Sequence, residues 1–324
     1  MDLEFNDDQR AVHDAILGIM EGHQEVPRTG ATVEAAPWIY GEALERELSD
    51  GGYFSLGLTE GFGALESALL VYEVSRSPLV VETAGSALIG AQLTGTALPR
   101  PVAVARQEDL ARGVRFLDRA RTLIVDAGDD VLVLPTEGLV VLPVDAMYAY
   151  PMSRLTTLPR PGSGQCLGAS KVATLRRLWR TGIALEAAAA MQAAIDFTVE
   201  YIKQRRVFGR SVGTFQAVQH RIAIDAQKAR GAYWLAIKAA WSGAETDAAI
   251  AALYAQQAIT SVNYNTHQFN GALGMTLEHS LHLWTFRLRL LQAELGGARV
   301  QSAAVADLAW PAATDRPNEA KQAR

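Results

Sequence analysis

The first third of the chain carries apolar residues at helical spacing. An acidic cluster beginning at Asn6 precedes the amphipathic run QRAVHDAILGIM, which is the pattern of a capped helix start. Gly51 follows a second amphipathic run, and Pro78 interrupts a third before helical spacing resumes in SALIGAQL. This pattern predicts a helical region over residues 1–95.

The pattern changes between about Leu98 and Leu158 to short β-prone runs, which are PVAVA, VRFL, TLIVDA, DVLVLP and GLVVLP. Gly, Asp and Pro separate these runs. Because the runs are continuous rather than alternating, they suit strands packed between two helical layers. We therefore predict a small β region over residues 96–165, with LPRPGSGQ as a linker to the C-terminal region.

Helical spacing returns from about Ala169 onward. One apolar stripe and one leucine stripe follow it, and we expect each to bury one helix face. The apolar stripe is Ala184, Ala188, Met191, Ile195, Val199 and Ile202. The leucine stripe is Leu277, Leu281, Trp284, Leu288, Leu291 and Leu295. We predict a helical bundle over residues 166–312 and a frayed tail over 313–324, so the chain is mainly α with a small central β domain.

Composition narrows the class of function. The 324 residues are 49% hydrophobic and 20% charged, with a formal net charge of -5, so no broad basic field is expected to bind nucleic acid or an anionic membrane. Cys166 is the only cysteine, which excludes an intrachain disulfide and any multi-cysteine metal site. The acidic N-terminus and the interrupted apolar stretches predict a cytoplasmic protein with no membrane span.

Two segments carry a family resemblance. QRRVFGRSVGTFQAVQHRIAID resembles the Arg-x-x-Phe-Gly signature of the acyl-CoA dehydrogenases, and NTHQFNGALGMTLEHSLHL stands in place of their Gln-x-x-Gly-Gly-x-Gly-x-Thr-x-Glu segment. Alone, RRVFG also fits a solvated basic helix end with a buried Phe, but the downstream glutamine segment favours the family. The resemblance extends to MDLEFNDDQRAV and EVSRSPLVVETAGSAL. It implies an N-terminal helical domain, a β domain and a C-terminal four-helix bundle.

The resemblance also implies FAD contacts that reach from one subunit to its neighbour. Arg205 offers a forked cation to a diphosphate, and Phe208 offers a flat apolar face to adenine. Glycines in the downstream segment let backbone N–H groups approach an anion. The implied cofactor-binding residues are Arg205, Phe208, Gln216, Gln268, Gly271 and Gly274.

The catalytic base of the family has no clear counterpart. In that family a glutamate removes the α proton of an acyl-CoA thioester while flavin takes the β hydride. Counting back twenty-nine residues from Phe208, as the family spacing requires, gives Trp179, followed by Arg180. Glu294 is the candidate at the family's other base position, although an exposed helix-end glutamate is the commoner explanation. Arg180 contacts substrate or forms an internal ion pair, and the ion pair is favoured because charged helix residues are more often structural.

Other departures concern metals and the flavin ring. His279 and His282 follow Glu278, the family's structural glutamate, but the chain has no Glu-x-x-His, so no metal site is expected. The loop and strand that cover the flavin ring in the family have no counterpart between Leu93 and Leu158.

With these departures, the chain resembles the shorter, degenerate subunit of the heterotetrameric acyl-CoA dehydrogenases of actinobacterial steroid degradation. The resemblance implies a second, full-length acyl-CoA dehydrogenase subunit as partner, FAD at the mixed interface, a steroid side-chain acyl-CoA as substrate and an electron-transfer flavoprotein as electron acceptor. Two alternatives remain: a self-sufficient homo-oligomeric dehydrogenase that uses Glu294, and a non-catalytic scaffold.

Overall fold

The computed structural model describes residues 4–26, 37–157, 159 and 164–310. Most of the helices lie in the two flanking regions of the chain. They are α1 (Asp7–Glu21), α2 (Glu42–Asp50), α3 (Ala64–Ser75), α4 (Ala91–Thr94), α5 (Val172–Gln204), α6 (Gln216–Ser242), α7 (Glu245–Asn270), α8 (His282–Ala293) and α9 (Gly297–Ala309). A π-helical turn, Ala84–Gly90, leads directly into α4.

Three predicted helix ends, the start of α1 and the ends of α2 and α3, are confirmed. The Asn6 side chain caps α1 by accepting a hydrogen bond from the Gln9 N–H at 2.8 Å, so one of the unpaired donors of the first turn is satisfied. Gly51 caps the end of α2. Helix α3 stops at Ser75, before Pro78, and helical structure resumes only at Ala84.

The strands of the central region form two small sheets. They are β1 (Val102–Arg106), β2 (Val114–Arg115), β3 (Thr122–Asp126), β4 (Val131–Pro135), β5 (Val141–Pro143), β6 (Met152–Leu155) and β7 (Gln165–Cys166). The first sheet has the order β1-β3-β4-β7 and the second has the order β2-β6-β5. Strands β1 and β3 are parallel, whereas β3 pairs antiparallel with β4.

Strand β3 explains the continuous apolar runs. Every residue of β3 is buried. The strand contacts α5, while β1 contacts the π-helical turn, so helical segments from both flanking regions pack against this sheet. Strands β6 and β7 were not predicted, because the short sequences MSRL and QC are partly polar. Strand β7 straddles the predicted boundary at residue 165; most of the predicted linker and the tail from Ala313 lie outside the described residues.

Helix α5 is the core of the C-terminal bundle and packs against α6, α7 and α8. Its alanine-rich middle, Ala187–Ala190, is fully buried, because small side chains let neighbouring helices approach closely. The helical stretch Ala169–Gln204 is long and apolar enough to cross a bilayer, but 78% of its apolar window is buried inside the molecule. The same burial pattern is typical of the central helix of a bundle.

The predicted leucine-striped helix is shorter than expected. Helix α8 covers only His282–Ala293. Leu277 precedes the helix, and Leu295 follows it with a left-handed φ of 50°. The stripe was misleading because its spacing continues across turns at both ends. Trp284, Leu288 and Leu291 are buried as expected.

Candidate functional site

The Arg-x-x-Phe-Gly segment forms a tight hairpin after α5. Strands β8 (Arg206–Val207) and β9 (Arg210–Ser211) pair antiparallel around a two-residue turn of Phe208 and Gly209. Both turn residues have positive φ, 51° and 81°, which is the geometry of a type I′ turn. Gly209 adopts this conformation freely, whereas Phe208 does so at a cost of about 1–2 kcal/mol.

Phe208 is held in this conformation while fully open to solvent. Its exposed fraction is 96%. The hairpin is tied to the end of α5, because the Ser211 hydroxyl donates to the Ile202 carbonyl at 2.7 Å and the Val212 N–H donates to the Arg205 carbonyl at 2.8 Å. These hydrogen bonds hold the hairpin that carries Phe208 in a fixed position at the end of α5.

Arg205 and Gln216 lie at the two ends of the same connection. Arg205 caps the C-terminus of α5 and is exposed, and Gln216 is the exposed first residue of α6. The structure therefore places Arg205, Phe208 and Gln216 on one exposed junction between two bundle helices. This arrangement can offer a cation, an aromatic face and an amide to a ligand held by another chain.

Gln268 and Gly271 lie elsewhere, in a groove between α7 and α8. The groove has a volume of about 730 Å³ and contains neither Arg205 nor Phe208. Its lining includes two exposed apolar side chains, Tyr264 and Met275. The half-buried Phe286 and the exposed Arg289 also line it. Gln268 and Gly271 thus line a groove that Arg205 and Phe208 do not line.

The two glycines of this segment lie in the turn that follows α7. Gly271 has φ 64° and ψ −149°, a conformation that is essentially restricted to glycine. Its N–H donates to the His267 carbonyl at 3.0 Å, and the Gly274 N–H donates to the Gly271 carbonyl at 3.1 Å. A Cβ at Gly274 would lie 2.6 Å from the Cβ of Asn270. Both N–H groups donate inside the turn, and their approach to an anion stays a prediction.

His267 fixes the turn that follows α7. Its Nδ1 lies 2.9 Å from the Gly274 carbonyl and its Nε2 lies 3.0 Å from the Thr285 hydroxyl. Burial lowers the pKa of His267, so the imidazole is neutral near pH 7. In the neutral ring Nδ1–H donates to the carbonyl and Nε2 accepts from Thr285. His267 therefore holds the turn after α7 against α8, and this contact fixes the shape of the groove.

The two candidate positions for a base meet in one small cavity. Trp179 is 5% exposed, and it lines a cavity of about 160 Å³ together with Glu294 and Arg115. The exposed-glutamate interpretation of Glu294 is wrong, because its side chain is only 13% exposed. Its position outside the leucine stripe suggested an exposed side chain, but Glu294 lies just after the end of α8, where its side chain enters the interior.

Arg115 occupies the centre of this cavity between two carboxylates. Its Nε and Nη2 donate to the two oxygens of Glu294 at 2.7 and 3.1 Å. Its Nη1 and Nη2 donate to the two oxygens of Glu186, both at 3.0 Å. The guanidinium also lies 4.8 Å from the ring centre of Tyr150. We call Arg115, Glu186 and Glu294 the buried triad.

The buried triad leaves no room for a flavin ring. Ligand pockets have volumes of about 300–1,000 Å³, which is larger than this cavity. Burial raises the pKa of Glu294, and the Arg115 guanidinium opposes that rise. The two adjacent carboxylates hold the pKa of Arg115 well above its ordinary value. The residues of this cavity therefore do not fit an isoalloxazine, and Glu294 is tied to a cation and not directed at a substrate.

Arg180 lies outside the triad, in an outer cleft of about 690 Å³. Its Nε donates to the Gln301 side-chain oxygen at 2.8 Å, which is a neutral amide and not the carboxylate that an internal ion pair requires. Arg176 in the same cleft does form a two-point ion pair with Asp126, at 2.6 and 2.9 Å. Burial is the larger influence on the pKa of Arg180 and lowers it, although the Glu245 carboxylate attracts the guanidinium electrostatically. Both the ion pair and a contact with substrate stay predictions.

His279 and His282 are core residues. His279 packs edge-on against Phe197 and Tyr201, and His282 Nδ1 lies 3.0 Å from the His279 carbonyl. No group of three or more metal-ligating side chains comes together within the described part of the chain.

Sequence reasoning missed two members of the buried triad, Arg115 and Glu186. A signal for Glu186 was present, since it is the lone acid in the apolar run TGIALEAAAAM. A buried carboxylate in such a run requires a cation or several donors as a partner. The sequence does not indicate which cation.

Comparisons with known proteins agree with this architecture. A family model described as the C-terminal domain of acyl-CoA dehydrogenase matches residues 174–309. Acyl-CoA dehydrogenase IpdE2 of Mycolicibacterium smegmatis is 26% identical over 313 residues, which cover 92% of this chain and 97% of that protein.

Two solved structures share the fold. One is the ChsE4-ChsE5 complex from Mycobacterium tuberculosis, with 18% identity, a TM-score of 0.76 and coverage of 98% of this chain and 100% of the matched chain. The other is a variant of Tcur3481-Tcur3483, described as a steroid ACAD, with 21% identity, a TM-score of 0.77 and coverage of 94% and 98%. The helical, β and helical regions and the relative of nearly equal length are similar to the acyl-CoA dehydrogenases, and residues 174–309 match the C-terminal domain of that family.

Proposed function

We propose that this chain is the subunit without a catalytic base in a heteromeric, FAD-dependent acyl-CoA dehydrogenase. In this proposal Arg205, Phe208 and Gln268 complete a flavin site on a second, full-length subunit, and that partner supplies the glutamate. The reaction is the α,β-dehydrogenation of an acyl-CoA thioester. The observation that carries the proposal is the hairpin that presents Phe208.

The hairpin is costly to the isolated chain. A large apolar side chain gains about 1.5–3 kcal/mol when it is buried, and Phe208 forgoes this gain while also adopting a strained backbone. Such strain at an exposed aromatic residue indicates a ligand or partner that covers it. A planar aromatic ligand such as adenine matches the flat face of Phe208, and Arg205 in the same connection matches a diphosphate.

The buried triad supports the need for a partner. The cavity that contains both base positions holds Trp179 at one of them and a cation-bound Glu294 at the other. A second chain must then provide both the carboxylate and the space for the flavin ring. Proteins of similar fold are described as two-protein complexes, ChsE4-ChsE5 and Tcur3481-Tcur3483, which supports a mixed assembly.

The substrate class follows from the relatives. One structural neighbour is described as a steroid ACAD, so we propose a steroid side-chain CoA thioester. We further propose an electron-transfer flavoprotein as acceptor and a cytoplasmic location, as the sequence predicts.

Three residues of this chain have a defined part in the proposed mechanism. FAD, when bound, supplies the acceptor for the β hydride. Arg205 neutralises diphosphate charge, Phe208 covers the adenine face, and the Gln268 side chain offers an amide donor and acceptor. These residues bind and orient the cofactor, and proton removal stays with the partner.

The test is the flavin content of the complex of this chain with its full-length partner. Arg205→Ala removes the forked cation, and we expect the bound FAD per complex to fall at least about tenfold, because a charge-assisted pair contributes about 1.5–3 kcal/mol. Arg299→Ala, an exposed arginine on α9, is the matched control and should retain its flavin.

The same experiment separates the alternatives. Unchanged flavin and activity in the Arg205→Ala complex would contradict the proposal and favour a scaffold. A yellow, active homo-oligomer of this chain alone would favour the self-sufficient enzyme.

A further inference from the structure

The buried triad joins three elements that the chain connects only through long segments. Arg115 lies on β2, Glu186 lies in the middle of α5, and Glu294 immediately follows α8. The β region and two helices of the bundle therefore meet at one guanidinium. The same cavity contains both predicted positions for a base, Trp179 and Glu294.

We infer that the buried triad is a permanent closure of this chain's own cleft, and that it takes over from the cofactor the task of docking the β region onto the helices. This inference deepens the proposed function and rests on it for the position of the flavin. It assigns Glu294 and Glu186 as positioning residues for Arg115, not as bases.

The geometry of Arg115 makes the closure rigid. Four hydrogen bonds of 2.7 to 3.1 Å hold its guanidinium in two two-point contacts, and Tyr150 and Phe116 lie beside it. Arginine presents its donors in a planar fork, so two such contacts fix its position and orientation. A different rotamer of Arg115 would break these contacts.

The charges of the interior match this closure. Two carboxylates face one cation in the triad, which leaves a net charge of -1 at the centre. The nearby Arg287 is 3% exposed, and its electrostatic interaction with Glu186 acts against the lowering of its pKa by burial. Arg287 also donates to the Ser77 and Pro78 carbonyls, so the cluster reaches the N-terminal helical region. The triad is thereby part of a balanced network that spans all three regions.

The closure makes a prediction about Arg115→Met in the complex with the flavin-bearing partner. Methionine keeps most of the volume but leaves two buried carboxylates without their cation. We expect the thermal midpoint of this chain to fall by roughly 5–15 °C, because loss of one partner of a buried pair is strongly destabilising. Amide hydrogen exchange in β2 and β6 should increase, while the FAD bound per complex stays unchanged.

Arg112→Met is the matched control, since Arg112 is an exposed arginine in the same region, and it should change neither quantity. If Arg115→Met does not fold, Glu294→Gln weakens the same contacts more mildly and is measured in its place. Loss of flavin or a changed flavin absorption spectrum, with an unchanged thermal midpoint, would overturn the inference. This outcome differs from failure of the proposed function, in which Arg205→Ala leaves flavin in place whatever Arg115→Met does to stability.

Discussion

The Phe208 hairpin and the buried triad each place side chains where they are energetically unfavourable, but in opposite ways: the hairpin exposes an apolar ring and the triad buries charges. At the hairpin, an aromatic ring is exposed and its backbone is strained. In the triad, three charged side chains are largely removed from water, and Arg115 makes four hydrogen bonds to the two carboxylates. The hairpin requires another molecule to satisfy it, and the triad requires none.

This difference indicates where function lies in the chain. Residues that a structure leaves unsatisfied are candidates for binding, whereas residues that satisfy one another are candidates for stability. By this criterion the buried triad is the weaker candidate for a functional site, and the Phe208 hairpin is the stronger one. Substitutions in the interior should change the free energy of unfolding, and substitutions at the hairpin should change flavin binding.

The largest expected effect comes from an attempt to restore the base. Trp179→Glu replaces a 5% exposed indole by a carboxylate beside Glu294, and we expect the free energy of unfolding to fall by about 3–5 kcal/mol. No dehydrogenase turnover should appear in the chain alone, because the cavity is too small for a flavin ring. Denaturant unfolding and an acyl-CoA assay measure both quantities, with Trp179→Phe as the control that keeps aromatic packing. A stable and active Trp179→Glu chain would show that the cleft is open.

A smaller effect should come from pH. Glu82 is 3% exposed, and burial raises its pKa to about 7 even though Ser86, Gly85 and Val102 donate hydrogen bonds to it. The folded pKa lies above the ordinary value of 4.5, so the stabilising contribution is complete below about pH 4.5 and is lost as pH rises through about 7. A difference of this size corresponds to about 3 kcal/mol.

Denaturant unfolding between pH 5 and 8 measures this dependence. Glu82→Gln should flatten the decline, and Glu60→Gln, at an exposed glutamate, should not. An identical slope in Glu82→Gln would mean that the interior is less shielded from water than its burial indicates.

The smallest expected effect on stability is at the hairpin. Phe208→Asn gives the type I′ turn its preferred Asn-Gly pair, and the free energy of unfolding should rise by about 0.5–1 kcal/mol. Flavin in the mixed complex should fall at the same time. Trp310→Ala, another exposed aromatic residue, is the control for a general loss of surface apolar area. Retained flavin in Phe208→Asn would remove the hairpin from the binding site.

Local signals made much of the fold predictable. Asn6, Gly51 and Pro78 each act within a few residues of the helix end that they define, so the sequence contains the whole cause. Strand β6 and the ends of α8 were not predicted, because a short polar strand depends on its neighbours in the sheet and a leucine stripe does not reveal a turn. These features depend on tertiary context.

The candidate site divides in the same way. The Arg-x-x-Phe-Gly segment that forms the exposed hairpin is a contiguous motif in the sequence. The triad is not contiguous, since Arg115 is separated from Glu186 by 71 residues and from Glu294 by 179. Only the fold brings these side chains together, so the sequence did not indicate the triad even though the triad contains Glu294, one of the two predicted positions for a base.

Cys166 offers a single site at which a fluorescent dye could be attached to measure the distance to the flavin. It is the only cysteine in the sequence, it is exposed at the edge of the β region, and its thiol donates to Asp130, which raises the pKa of the thiol. A maleimide dye would attach at this one position, most efficiently at mildly alkaline pH. Energy transfer between that dye and the fluorescent flavin would then measure the separation of the two. One label at Cys166 would thus turn the question of which chain holds the flavin into the measurement of a distance.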